Sequence, residues 1–300
     1  MRIHFSCVRI KPFCLALLMV CTWAFPASAP AATTNKNSII APPRRDVPGR
    51  HADLKPGTLY VPSFFKADTN GSADIVIFFH GAAWCAEQNF YDARKNAVLI
   101  TINNTNLAAL FKSSSSLSNL LEETVKALKP EGVGSIRHIC IASFSGGYVA
   151  VREILQQPEY LDRISDVVLA DSLYAPRVAG KTNELDPAAM APFLNYARHA
   201  SEGKGRFFFS QLFPPEERYR ENTTTLAAYY LTDHLHVKRL PATGKSSSGD
   251  ELLYRADKGN FHVLGYAGMT NQDHFNHFYG ISDLLRETSL EATTADSTSK

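Results

Sequence analysis

Two short stretches carry residue types suited to acyl transfer. Ser143-Phe144-Ser145-Gly146-Gly147 falls between Ile136–Ala142, which reads as a strand, and Gly146–Gln157, which reads as a helix. A nucleophilic serine on a strand-to-helix turn needs small neighbours, because the strained backbone passes close to the adjacent elements. Gly146 and Gly147 give that room after the serine. The helix that follows directs free N–H groups and its positive dipole end at the position where an oxyanion would form. The usual spacing is G-x-S-x-G, and Ser143 stands where the first glycine would be. The plainer reading of the same residues is a tight turn with Ser145 as a helix cap.

The second stretch is His80-Gly81-Ala82-Ala83-Trp84, directly after the apolar run Asp74–Phe79. A His-Gly turn at a strand end offers unpaired backbone N–H groups to an anion. Two donors are needed for a tetrahedral oxyanion, and the amides of Ala82 and Gly146 are the candidates. Here the plainer reading is an ordinary strand-end turn with His80 bonded in the core.

His80-Gly81, the Ser145 turn, a following Asp and a late His together resemble the α/β-hydrolase superfamily, over roughly residues 58–286 in element order. The resemblance singles out no subfamily. It implies a Ser, then Asp or Glu, then His order, in which an imidazole takes the serine proton and an acid orients the imidazole. Asp171 closes the strand Asp166–Ala170 and is the matching acid, in a position used by some members. Most members place the acid one strand later, where this chain has Ser210 and Gln211, with Glu216 and Glu217 beyond two prolines. His274 lies in the loop before the last helix and matches the base, with His277 as second choice. His262 falls within a strand and reads as a core histidine, and Asp273 as a helix-start residue. Trp84 and Tyr174 are candidate substrate-binding side chains. Acyl transfer on this triad requires no cofactor. His274 and His277 lack a third ligand to complete a metal site.

The elements that must position these groups are legible as alternating strands and helices. Strands are expected at 58–61, 74–79, 98–102, 136–142, 166–170, 206–209 and 261–266. Helices are expected at 117–128, capped by Ser118, and at 146–157, 223–235 and 276–286. This alternation predicts an α/β architecture, a mostly parallel sheet with helices on both faces. Residues 57–287 form the expected domain, with 177–204 as a possible lid, 32–56 as a linker and 288–300 as a disordered tail.

Composition agrees with a large globular core: 45% of the 300 residues are hydrophobic and 20% are charged. A formal charge of +2 and the lack of a basic stripe argue against nucleic acid as a partner. The N-terminus has Arg2, Arg9 and Lys11 ahead of an apolar run, Phe13 to Phe25, and then small residues at Ala27, Ser28, Ala29 and Ala31. That order predicts a signal peptide over 1–31, a secreted or periplasmic product, and no membrane span after processing. Cys7, Cys14 and Cys21 leave with it, and Cys85 and Cys140 remain as two expected free thiols. The expected function is hydrolysis of a small-molecule ester or related acyl substrate. Its alternatives are a non-catalytic ligand-binding protein on the same fold, or an amidase or peptidase on the same triad.

Overall fold

The computed structural model describes residues 39–214 and 223–293. The expected signal peptide, Glu216 and Glu217 lie outside the described residues. The chain forms strands β1 (Gly49–Asp53), β2 (Thr58–Pro62), β3 (Ser72–Phe79), β4 (Ala97–Ile102), β5 (Ser135–Phe144), β6 (Ile164–Ala170), β7 (Arg206–Phe213), β8 (Leu240–Pro241), β9 (Leu252–Lys258) and β10 (Phe261–Ala267). Helices are α1 (Ala83–Ala93), α2 (Leu107–Phe111), α3 (Ser114–Ala127), α4 (Tyr148–Leu155), α5 (Pro158–Leu161), α6 (Pro187–Ser201), α7 (Thr223–His234), α8 (Asn271–Tyr279) and α9 (Ser282–Arg286).

One sheet runs in the order β1-β2-β4-β3-β5-β6-β7-β10-β9-β8. The stretch from β4 to β10 is parallel, and antiparallel strands extend both edges. Strands covered on both faces read as continuous apolar runs. Ile75, Ile77 and Phe79 pack on one face with residues of α3, α4, α6 and α7, while Val76 and Phe78 pack on the other with α1, α8 and α9. From β3 the chain crosses to β4 on one side and then to β5 on the other. The carboxyl ends of β3 and β5 therefore flank the point where strand order reverses, the usual place for a ligand in an open α/β sheet.

Several boundaries differ from the sequence reading. The expected linker contains β1, which pairs antiparallel with β2. The expected lid is largely α6, a crossover helix whose Met190, Phe193, Tyr196 and Ala200 are buried against the sheet. Ahead of it, 177–185 form a small turn closed by an Arg177–Leu185 bridge. Ser118 lies inside α3 and bonds the Ser114 carbonyl, and Ser113 takes the cap position. The last helix breaks at Gly280, where a Cβ would come within 2.8 Å of Ser248 Oγ. The start of the expected tail is ordered, with Thr288 and Leu290 buried. Cys85 and Cys140 are buried free thiols.

Candidate active site

Ser145 follows β5 directly and has φ 50°. His80 after β3 (φ 70°) and Asp171 after β6 (φ 40°) share this left-handed region. Such backbone costs about 1–3 kcal/mol per non-glycine residue and persists where the surroundings enforce it. Here it recurs at the carboxyl ends of three neighbouring strands.

Local packing explains the glycines of the turn. A Cβ at residue 147 would sit 2.2 Å from the Phe79 carbonyl oxygen, so only glycine lets β3 and α4 approach this closely. A Cβ at residue 146 would meet nothing nearer than His80 Nε2 at 4.0 Å. The serine in place of the first glycine has its own role. Ser143 Oγ lies 2.8 Å from Ser172 Oγ, and Ser172 donates to the Ser145 carbonyl at 2.8 Å. Ser172 has one proton, so Ser143 is the donor in the first bond.

Asp171 is buried, and its contacts hold it as a carboxylate. Oδ1 accepts the Leu212 N–H at 3.1 Å, Oδ2 lies 2.6 Å from His274 Nδ1, and Tyr174 donates to Oδ2 at 3.1 Å. Burial alone would raise its pKa. The hydrogen bonds from His274 and Thr224 and the nearby imidazoles of His277 and His274 outweigh burial and hold it below the usual carboxylate value. An ionised carboxylate only accepts hydrogen bonds, so the proton lies on Nδ1 of His274 and Nε2 is the basic nitrogen.

His274 is set by α8, whose start is a capping box between Thr270 and Asp273. Its ring stacks on Phe144 at 4.5 Å and 27°, and Phe144 is the residue before Ser145. Phe144 also stacks on Phe278, which joins the serine turn to α8 through one aromatic cluster. His277 points elsewhere: it is buried, with Nδ1 2.8 Å from Ser210 Oγ. His262 bonds Asp257 at 2.7 Å and stacks on Phe208.

Ala82 occupies the N-cap of α1, and Gly146 lies in the first turn after β5. Amides at these positions have no intrahelical acceptor. Ala82 and Gly146 are solvent-accessible and follow β3 and β5, the two strands that flank the reversal point. His80 is half-buried, and burial followed by the charge of His274 lowers its pKa. Trp84 is half-buried in α1. Tyr174 touches both the acid and the imidazole, beyond the pocket-lining role its type implies. Ser172, Leu212 and Thr224 carry no motif signal, since each acts through a pairing across loops. Among the described residues, no three metal-ligating side chains converge.

The strand order places the serine turn after β5, Asp171 after β6 and His274 after β10, on a mostly parallel sheet with helices on both sides. No family model matches the chain, and no curated protein matches it in sequence. Among solved structures it is similar to an arylesterase, at 12% identity and TM-score 0.43, over 83% of this chain and 86% of that one. It is also similar to a hormone-sensitive lipase from a metagenome library (13%, TM-score 0.44, 82% and 85%). A third is a soluble variant of a monoglyceride lipase from Saccharomyces cerevisiae (10%, TM-score 0.37, 82% and 97%).

Proposed function

We propose that the chain is a serine hydrolase that cleaves a carboxylic ester through an acyl-serine intermediate. The observation that carries this reading is the 2.6 Å contact of His274 Nδ1 with buried Asp171, on a ring stacked against the residue that precedes Ser145. His274 Nε2 takes the Ser145 proton as Oγ bonds to the substrate carbonyl carbon. The Ala82 and Gly146 amides hold the resulting oxyanion. Collapse breaks the bond to the alcohol, which leaves with the proton from Nε2. Water then adds by the same route, and the acid is released. Asp171 stays ionised and stabilises the imidazolium. The N-terminal pattern supports export, which expression with and without residues 1–31 tests by fractionation.

The test of the chemistry is labelling of the mature protein with a fluorophosphonate, followed by mass spectrometry of the modified peptide. The adduct is expected on Ser145, absent in Ser145→Ala, and suppressed in Asp171→Asn and His274→Asn. Folded wild-type protein that takes no label would favour the ligand-binding alternative. Paired ester and amide substrates separate the esterase from the amidase reading.

A further inference from the structure

Tyr174 lies three residues beyond Asp171, and its hydroxyl meets the acid–imidazole pair at their junction. It donates to Asp171 Oδ2 at 3.1 Å, the oxygen that His274 Nδ1 also approaches, and it stands 3.3 Å from Nδ1. The phenol ring is edge-on to His274 at 6.2 Å and 82°. It also contacts the ring of Tyr148, the first residue of α4, at 6.1 Å and 53°.

Leu212 N–H binds Oδ1, Thr224 adds a further hydrogen bond to the carboxylate, and Tyr174 and His274 share Oδ2. A donor on the shared oxygen fixes the carboxylate plane, so that Oδ2 points at Nδ1. Burial and the Asp171 charge push the Tyr174 pKa well above its ordinary value, so the phenol stays a donor across the working range. The other titratable groups near the pair are His80 after β3, His277 and Asp273 on α8, and Tyr148 on α4.

We propose that Tyr174 is a positioning residue that acts through Asp171, orienting the acid toward His274. This rests on the serine-hydrolase reading above and adds to it the residue that fixes the acid. It is a second role for Tyr174 beside the expected substrate contact.

The test is Tyr174→Phe in the full mature chain, which removes one oxygen and keeps the ring. Hydrolysis of 4-nitrophenyl acetate is followed from about pH 5 to 9, beside the His274 Nδ1 proton resonance, assigned by its loss in His274→Asn. In the variant kcat is expected to fall about tenfold while KM changes by less than about twofold, in line with a lost hydrogen bond to a charged group. The Nδ1 resonance is expected to shift. A raised KM with an unmoved resonance would make Tyr174 a pocket residue and overturn the proposal. An unchanged variant beside an active wild type would overturn it alone. A wild type that neither labels nor hydrolyses would remove the serine-hydrolase reading, and this proposal with it.

Discussion

The hydroxyl of Ser172 donates to the carbonyl of Ser145 at 2.8 Å, which ties the residue after Asp171 to the strained serine turn. Ser172 in turn receives the Ser143 hydroxyl, so the serine in the first position of the turn takes part in its support. Ser143 and Ser172 are fully buried. Ser172→Ala would leave the Ser143 hydroxyl without a partner and free the Ser145 carbonyl, at a cost of about 1–3 kcal/mol. Ser143→Gly leaves the Ser172–Ser145 bond in place. We therefore expect Ser172→Ala to slow fluorophosphonate labelling and lower the melting temperature, with Ser143→Gly much milder in both. Equal effects from the two variants would show that the Ser145 carbonyl gains nothing from Ser172.

The two glycines after Ser145 should respond differently to alanine. Gly147 has ordinary helical dihedrals (φ −63°, ψ −21°), so its need is for space. The added methyl would collide with the Phe79 backbone, which cannot rotate away, and overpacking of this kind typically costs about 1–3 kcal/mol or more. Gly146 has open space toward His80. Thermal melts should place Gly147→Ala well below wild type and Gly146→Ala near it, and kinetics should show Gly146→Ala still turning over. A stable, active Gly147→Ala would mean that β3 and α4 can separate without loss.

Acid sensitivity should come in two stages. Burial lowers the pKa of His277, against the opposing charges of Asp171 and Asp250. The unfolded chain takes up that proton from about pH 6.5 downward while the folded chain resists it, so stability is lost below that point. The limiting slope is about 1.4 kcal/mol per pH unit for one such group. Asp171 and Asp74 act in the same sense but at lower pH, with folded-state values held below the ordinary range, Asp74 by Arg137 and His138 against its burial. Their contribution is complete above about pH 4 and is lost only as pH falls through those lower values. Urea midpoints across the range should therefore fall first below about pH 6.5 and again in strong acid. His277→Gln should flatten the first fall, leave the second, and retain labelling of Ser145. An unaltered first fall in the variant would remove His277 as its source.

The parallel strands were legible because burial on both faces leaves uninterrupted apolar runs, as in Ile75–Phe79 and Ile139–Ala142. The edge strands were not. β1 is half-solvated Gly-Arg-His-Ala-Asp, a pattern shared with loops, whereas β9 alternates buried Leu252, Tyr254 and Ala256 with more solvated residues, a strand signal that is short and follows a loop-like segment. Residues 177–204 read as a possible lid because the gap between strands is longer than an ordinary connection, and the buried crossover helix α6 fills most of it. At the site, the chain order of the resembled family points to strand ends, and so to Asp171 and His274, which the structure brings within 2.6 Å. The sequence marks Tyr174 only as a substrate contact, and Ser172 and Thr224 not at all, because their contacts depend on which loops meet. Glycine spacing marked the serine turn but could not show that Gly147 answers to Phe79 and that Gly146 faces open space.

The C-terminal segment expected to be a tail should prove necessary for stability. Lys95 is buried and donates to the carbonyls of Thr288 and Leu290, both at 3.1 Å. Asp166 accepts the Ser289 amide at 2.7 Å and its hydroxyl at 2.6 Å, and Leu290 is 2% exposed. Ending the chain at Glu287 removes both acceptors from a buried ammonium that the charges of Asp166 and Glu287 still attract; each lost hydrogen bond to a charged group costs about 1.5–3 kcal/mol. Loss of the Leu290 contact adds about 1.5–3 kcal/mol. The total approaches the whole margin of a typical domain, about 5–15 kcal/mol. Lys95→Met removes the charge and keeps apolar bulk, but leaves two carbonyls to be satisfied and takes a nearby cation from buried Asp166. The truncated chain is thus expected to melt at least about 10 °C lower or to fail to fold. Lys95→Met should fall in between, and combining it with the truncation should recover part of the loss. A truncated chain that melts like wild type would show that water reaches Lys95 once the segment is gone.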